Sequence, residues 1–443
     1  MRMLWMILLT LFFNQVFAKP VQFTLDNGLK VIIQEDHRAP VVVSMIWYDV
    51  GSADEPGGIT GISHALEHLM FKGTRQYPQG VFSKTIAALG GQENAFTSHD
   101  YTAYFEKLAA SQLATSFKLE ADRMQNLLLD ENEFNREIKV IQEERRMRTD
   151  DNPQALTFER FLATAHLAVP YQHPVIGWMS DLEHMKISDV KAWYQRYYAP
   201  NNATLVVVGD IKPDKVHELA KQYFGNIKPF PQKPRKSQKE PPALGQKTVD
   251  VHAPAQVPMI MLGHAVPSVK TADPSRQYEP YALEIIAGIL DAGESSRFSK
   301  HLVREQQIAS TVDIFYNLYT RYQTQFIIFG IPSQRHTLTD LKQGILKELK
   351  RLTNEPVSSE ELQRVKNQII AQKTFERDSI FGQAMELGLL ETIGLGWEAA
   401  EQYTDRINSI TPEQVQKTAR RYFNEDSLTI ARLFPNNITK KSH

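Results

Sequence analysis

The chain has 443 residues, of which 42% are hydrophobic and 23% charged, with a formal net charge of −1 and no cysteine. Such a length is too great for one ordinary core, so two domains are expected. Balanced charge with no basic block or aromatic–basic interleaving excludes a nucleic-acid-binding stripe. The lack of thiols excludes disulfides and thiolate metal sites.

In chain order, residues 1–18 read as a signal peptide. Arg2 supplies the positive start, Met3 to Phe13 an apolar run too short to span a bilayer, and Val16-Phe17-Ala18 a cleavage site after Ala18. Export without cysteine points to a bacterial periplasm. No later run is long or apolar enough to cross a membrane, so no span is expected after cleavage.

Val21 to Gln34 reads as a strand pair around the turn Asp26-Asn27-Gly28, and Val41 to Tyr48 as a further strand. Helical stretches are expected at 60–70, 80–90, 109–127, 131–148 and 188–197. The first of these holds His64-Ala65-Leu66-Glu67-His68. On a helix His64 and His68 lie one turn apart on one face, where two imidazoles can hold one Zn²⁺. Glu67 stands beside that face, within reach of a water activated there. Ile62, Leu66 and Leu69 give the helix an apolar stripe, with Gly57-Gly58 before it and Gly73 after it.

Two histidines leave a catalytic zinc one protein ligand short. Candidates lie between Glu133 and Arg146, where Glu137 and Glu144 share a face and Glu143 points about 100° away. Arg145, Arg146 and Arg148 stand among them, and exposed ion pairs of that kind carry little energetic weight. Spacing alone does not choose the ligand. Asn94-Ala95-Phe96-Thr97, following Gly90-Gly91, reads as part of a strand.

The three blocks together, in this order, resemble the M16 family of zinc metallopeptidases, the inverzincins. That family carries H-x-x-E-H and then a glutamate ligand roughly 75 residues later; here His68 and Glu144 are 76 apart. The resemblance runs from about residue 21 to about 434. It implies one zinc per chain held by His64, His68 and Glu144, with Glu67 as general base and Glu137 orienting a ligand from behind. It implies that Asn94, Ala95, Phe96 and Thr97 form an edge strand that pairs with extended peptide substrates.

A proline- and lysine-rich stretch, 229–245, divides the chain into an expected zinc-bearing domain, 19–228, and a second domain, 246–443. The halves echo each other. Phe82-Ser83-Lys84 returns at Phe298, Glu133-Phe134 at Glu361-Leu362, and Arg196-Tyr197-Tyr198 at Arg421-Tyr422-Phe423. The fold class expected is therefore α+β: two homologous M16-type domains, each an antiparallel sheet with packed helices, forming a clamshell.

The second half lacks the H-x-x-E-H motif, and the position matching Glu144 falls near Gln372. In the family this half often supplies an Arg and a Tyr, seven residues apart, to the substrate carbonyl. Arg304 is present as a substrate-binding residue, but Thr311 stands where the tyrosine belongs. Tyr316, Tyr319 and Tyr322 are the nearby substitutes. The resemblance thus implies a zinc-dependent endopeptidase acting as the zinc-bearing subunit of a pair, with a second M16-type subunit carrying the Arg/Tyr pair. The alternatives are an M16-type scaffold that binds peptides without cutting them and a zinc hydrolase of non-peptide substrates.

Overall fold

The computed structural model describes residues 19–231, 234–236 and 238–436; the expected signal peptide lies outside them. Six strands form the first sheet: β1 (Val21–Thr24), β2 (Lys30–Glu35), β3 (Val41–Tyr48), β4 (Gln92–Thr97), β5 (Thr102–Ala109) and β6 (Ala203–Gly209), in the order β1-β2-β6-β3-β5-β4. Five form the second: β7 (Lys247–Ala253), β8 (Met259–Val266), β9 (Ala309–Phe315), β10 (Thr324–Pro332) and β11 (Leu428–Pro435), in the order β7-β11-β8-β10-β9. Without β1, the first order maps onto the second strand for strand. Each sheet is antiparallel apart from one parallel pair, β2 with β6 and β7 with β11.

The helices repeat in the same way. The first half places α1 (Ile62–Leu69) after β3, then α2 (Val81–Ala88), α3 (Leu113–Asn126), α4 (Glu131–Arg145), α5 (Pro153–Ala165), α6 (Met179–His184), α7 (Ile187–Tyr197) and α8 (Pro213–Phe224). The second half places α9 (Glu279–Asp291) after β8, then α10 (Leu338–Asn354), α11 (Ser359–Asp378), α12 (Ile380–Thr392), α13 (Glu398–Ser409) and α14 (Pro412–Tyr422). Two homologous halves are thus visible in the topology.

Central strands bury both faces, which is why they read as continuous apolar runs. Along β3, Val42, Ile46 and Tyr48 enter the core of their own half, while Val43, Met45 and Trp47 face α12 of the other half. Along β8, Ile260, Leu262 and Val266 enter their own core, while Met259 and Met261 face Phe161 of α5. The halves therefore exchange a helix. The fit is close on both sides: a Cβ at Gly388 of α12 would lie 2.1 Å from the Trp47 ring, and one at Gly263 of β8 would lie 2.2 Å from the Phe161 ring.

A buried ion cluster also joins the halves. Arg321, just before β10, reaches Asp49 at 2.8 Å and Asp54 at 3.0 Å, and donates to the Asp100 carbonyl. Burial works against its charge, but Asp54, Asp100 and Asp49 more than offset that and keep it protonated. Arg235, from the proline- and lysine-rich stretch, pairs with the same Asp49 and Asp54, both at 2.6 Å. That stretch forms neither helix nor strand among its described residues, yet this arginine ties it to the first half. No helix among the described residues is long and apolar enough to cross a membrane.

Candidate metal centre and active site

The helix that carries the motif is held at its start by two carboxylates. Glu55 accepts from the backbone N–H of Gly61 at 2.7 Å and of Ser63 at 2.8 Å, satisfying amides that a helix N-terminus leaves open. Asp181 accepts from the Thr60 hydroxyl at 2.6 Å. Gly61 has φ +86°, and a Cβ there would sit 2.5 Å from the Ile176 carbonyl oxygen, so only glycine lets the two backbones approach. Ile62, Ala65, Leu66 and Leu69 are buried, which turns His64, Glu67 and His68 toward α4 and β4.

On α4 the buried residues are Phe134, Ile138, Ile141 and Arg145, and Asp130 caps the start by accepting from Asn132 and Glu133 amides. This seating presents Glu137 and Glu144 to α1. Glu144 Oε2 lies 3.4 Å from His68 Nε2 and 3.9 Å from His64 Nε2. Glu143 instead points to solvent and pairs with Arg146 at 3.0 Å. Geometry thus selects Glu144 where spacing could not.

One donor atom each from His64, His68 and Glu144 falls within 4.8 Å of the others. Tetrahedral zinc with bonds of about 2.0–2.1 Å puts its donors roughly 3.3 Å apart. Two imidazoles and one carboxylate at these separations fit that ion. Burial, aided by His68 and Arg148, pushes the His64 imidazole down to about 3, so it is neutral with a lone pair available. His68 directs Nδ1 at Glu137 Oε1, 2.9 Å away, which leaves Nε2 for a metal. Burial raises the Glu137 carboxyl, but Lys72 and His68, both bonded to it, more than offset that and hold it below its usual value. Glu137 therefore stands behind His68, in the position that the resemblance implies.

Glu67 accepts a hydrogen bond on Oε2 from the Thr97 hydroxyl of β4. Burial pushes its carboxyl up, and the Thr97 bond pulls it back. The strand is the edge of its sheet: β4 pairs with β5 from Gln92↔Lys107 to Thr97↔Thr102 and, among the described residues, with no other strand. Asn94, Ala95, Phe96 and Thr97 line a cavity of about 960 Å³ together with the histidines and Glu144. The Phe96 ring packs edge-on against Trp47, 5.6 Å between centroids, so its side chain is anchored while its backbone stays at the edge.

Arg304 sits elsewhere. It lies in a short π-helical turn, Phe298–Glu305, with its side chain half exposed and bonded to the Glu294 carbonyl at 2.6 Å, and it is not among the residues lining the cavity. Thr311 is exposed on β9. None of the three substitute tyrosines lines the cavity either: Tyr316 donates to the Pro267 carbonyl, Tyr319 is buried in the second half, and Tyr322 borders the proline- and lysine-rich stretch. The cavity wall does include Tyr171, His173 and Arg148. Sequence reasoning passed over Arg148, although its i, i+4 spacing from Glu144 was the available signal.

The second half keeps a smaller counterpart, about 410 Å³, between α9 and α11. Glu284, Ala287 and Gly288 there repeat the spacing of His64, Glu67 and His68. Gln372, the position expected to match Glu144, and Lys373 beside it stand in the wall from α11, and neither offers a ligand carboxylate.

Comparison with known proteins shows the family. Residues 30–177 match the family model described as Insulinase (Peptidase family M16), and residues 184–369 match that of the Peptidase M16 inactive domain. Zinc protease PqqE of Helicobacter pylori is 34% identical over 347 residues, covering 77% of each chain. A probable mitochondrial-processing peptidase subunit beta of Arabidopsis thaliana is 24% identical over 93% of this chain and 78% of its own. Among solved structures, a protease from Helicobacter pylori superposes with a TM-score of 0.88 at 30% identity, covering 94% of this chain and all of the other. The chain belongs to peptidase family M16.

Proposed function

We propose that this chain is a zinc-dependent endopeptidase that hydrolyses unstructured peptides, exported to the periplasm and working as the zinc-bearing subunit of a two-chain M16 enzyme. One observation carries the reading: His64, His68 and Glu144 converge, with Glu67 beside them, in a cavity bounded by the free edge of β4.

Zinc, which His64, His68 and Glu144 would hold, would supply Lewis acidity to the attacking water and the scissile carbonyl. The protein's own groups do the rest. A peptide in extended form adds to the open edge of β4 through main-chain hydrogen bonds, which set its direction without reading side chains. Thr97 fixes one oxygen of Glu67, leaving Oε1 to take the proton from the attacking water and deliver it to the leaving amine nitrogen. Thr311 supports the two-chain reading, since no described tyrosine of the second half reaches the cavity and a partner's Arg/Tyr pair would complete it.

The second reading, a peptide binder that does not cut, takes its support from the inactive-domain model matched by residues 184–369. A binder has no chemical need for Glu67. Quenched-peptide cleavage by the mature chain, alone and mixed with an M16-type sister chain, separates the readings. Cleavage that requires zinc, rises in the mixture and vanishes in Glu67→Gln supports the proposal. Unchanged peptide binding with no cleavage under any condition overturns it, and full activity of the chain alone removes the partner.

A further inference from the structure

The three converging side chains are not equally supported. His68 has Glu137 behind it, and Glu137 has Lys72. His64 Nδ1 is buried with no protein partner. Glu144 has Arg148, whose Nη1 pairs with Oε1 at 2.7 Å. The two oxygens of Glu144 therefore have separate tasks: Oε1 takes the guanidinium, and Oε2 faces both imidazoles.

That division has a physical consequence. The terminal torsion of a glutamate is broad and two-fold, so an unrestrained carboxylate presents either oxygen in many orientations. A guanidinium paired with one oxygen favours the orientation that keeps that oxygen toward the cation and the other away from it. The carboxylate end of this pair is only 12% exposed, unlike a surface ion pair, even though the arginine is 74% exposed.

The backbone explains why Arg148 can do this. After Arg145 the chain leaves α-helical winding for a π-turn, Arg146–Asp150, closed by the Asp151 amide on the Arg146 carbonyl at 2.8 Å. Such turns interrupt helices at functional sites. The three arginines at this junction part ways: Arg145, the last residue of α4, is buried and bonded to Glu159 at 2.7 Å, Arg146 pairs with Glu143 at the surface, and Arg148 lines the cavity. Only the last of them touches Glu144 among the described residues.

We propose that Arg148 is a positioning residue for the metal ligand Glu144, its guanidinium holding Oε1 so that Oε2 stays aimed at His64 and His68. The inference rests on reading those three side chains as a zinc site. The test is zinc affinity of the full mature chain, by competition with a chromophoric chelator, for the parent, Arg148→Met, Arg148→Lys and Arg146→Met. Thermal unfolding of each metal-free protein checks that it folds. The expected result is a loss of about 10- to 100-fold in Arg148→Met, the range for ligand-supporting partners. Arg148→Lys recovers part of the loss, because an ammonium keeps the charge but not the fork. Arg146→Met binds as the parent does. Parental affinity in Arg148→Met overturns the proposal, as does an equal loss in Arg146→Met, which would make the effect one of segment charge. A parent chain that takes up no zinc defeats the site reading itself, an outcome distinct from either.

Discussion

The two halves of this molecule share one topology and differ in one face. In the first, α1 offers His64, Glu67 and His68 to Glu144 of α4. In the second, α9 offers Glu284, Ala287 and Gly288 to Gln372 and Lys373 of α11 across a cavity less than half the size. The scaffold survives the change because the residues that build it are elsewhere: Ile62, Leu66 and Leu69 on one helix, Leu283, Ile286 and Leu290 on the other, all buried. The loss is also locked in by packing. A Cβ at Gly288 would lie 2.6 Å from Val365 Cγ1, so a histidine cannot return there without displacing Val365. The candidate metal ligands are thus a few side chains that point away from the core, and the second half keeps the same topology without them.

The largest expected effect breaks the comparison at its chemical end. Glu67→Gln should lower turnover by about 10²–10⁴ while leaving zinc content and thermal stability near parental, measured on quenched peptide under conditions where the parent is active. Turnover that survives would move the base to another residue. Next comes the joint between the halves. Arg321→Met takes the cation from buried Asp100 and leaves Asp54 with Arg235 alone, and removing one member of a buried pair costs about 3–5 kcal/mol. Chemical denaturation should show that loss, and an unchanged midpoint would mean the cluster does not hold the halves together.

A smaller effect distinguishes the halves by pH. His264 of β8 stands where β3 has Tyr48, and burial pushes its imidazole down from 6.5 to about 4. The folded protein keeps this ring neutral while the unfolded chain protonates it. Stability is therefore full above pH about 6.5 and falls as pH drops toward about 4, by about 3 kcal/mol for a shift of this size. His264→Ile should flatten that part of the pH–stability curve, and a curve of parental slope would contradict it. The exchanged helices give the smallest effect. Gly388→Ala and Gly263→Ala each force a methyl against a ring and should each cost about 1–3 kcal/mol in unfolding free energy. A loss at one site only would show that one helix, not both, fastens the halves.

Much of this was legible before the structure. The turn at Asp26-Asn27-Gly28 joins β1 and β2, the run Val41 to Tyr48 is β3, and His64 with His68 shares one face of α1. Those features are local: a hairpin signal, an apolar run, a helical spacing. The edge placement of Asn94 to Thr97 and the choice of Glu144 came from resemblance, and the fold then supplied their geometry. Other features were hidden for physical reasons. Helix α5 has its start signals in Asn152-Pro153, yet its apolar face, with Phe161 and Ala165, packs on a sheet of the other half. A stripe that serves a distant partner looks the same in sequence as one that serves its neighbours. Arg145 and Arg148 read as solvated charges because a sequence does not report that Glu159 and Glu144 are buried opposite them. Arg321 gave no signal at all, since its three aspartates lie more than 200 residues away.

The central claim is that one half alone carries a metal site, built from His64, His68 and Glu144. Zinc content per chain, measured for the parent and for His68→Ala and Glu144→Ala after exhaustive dialysis against a weak chelator, tests it most directly. The account predicts one zinc per parent chain and none in either variant. No zinc in the parent, or a zinc that persists in both variants, would contradict it.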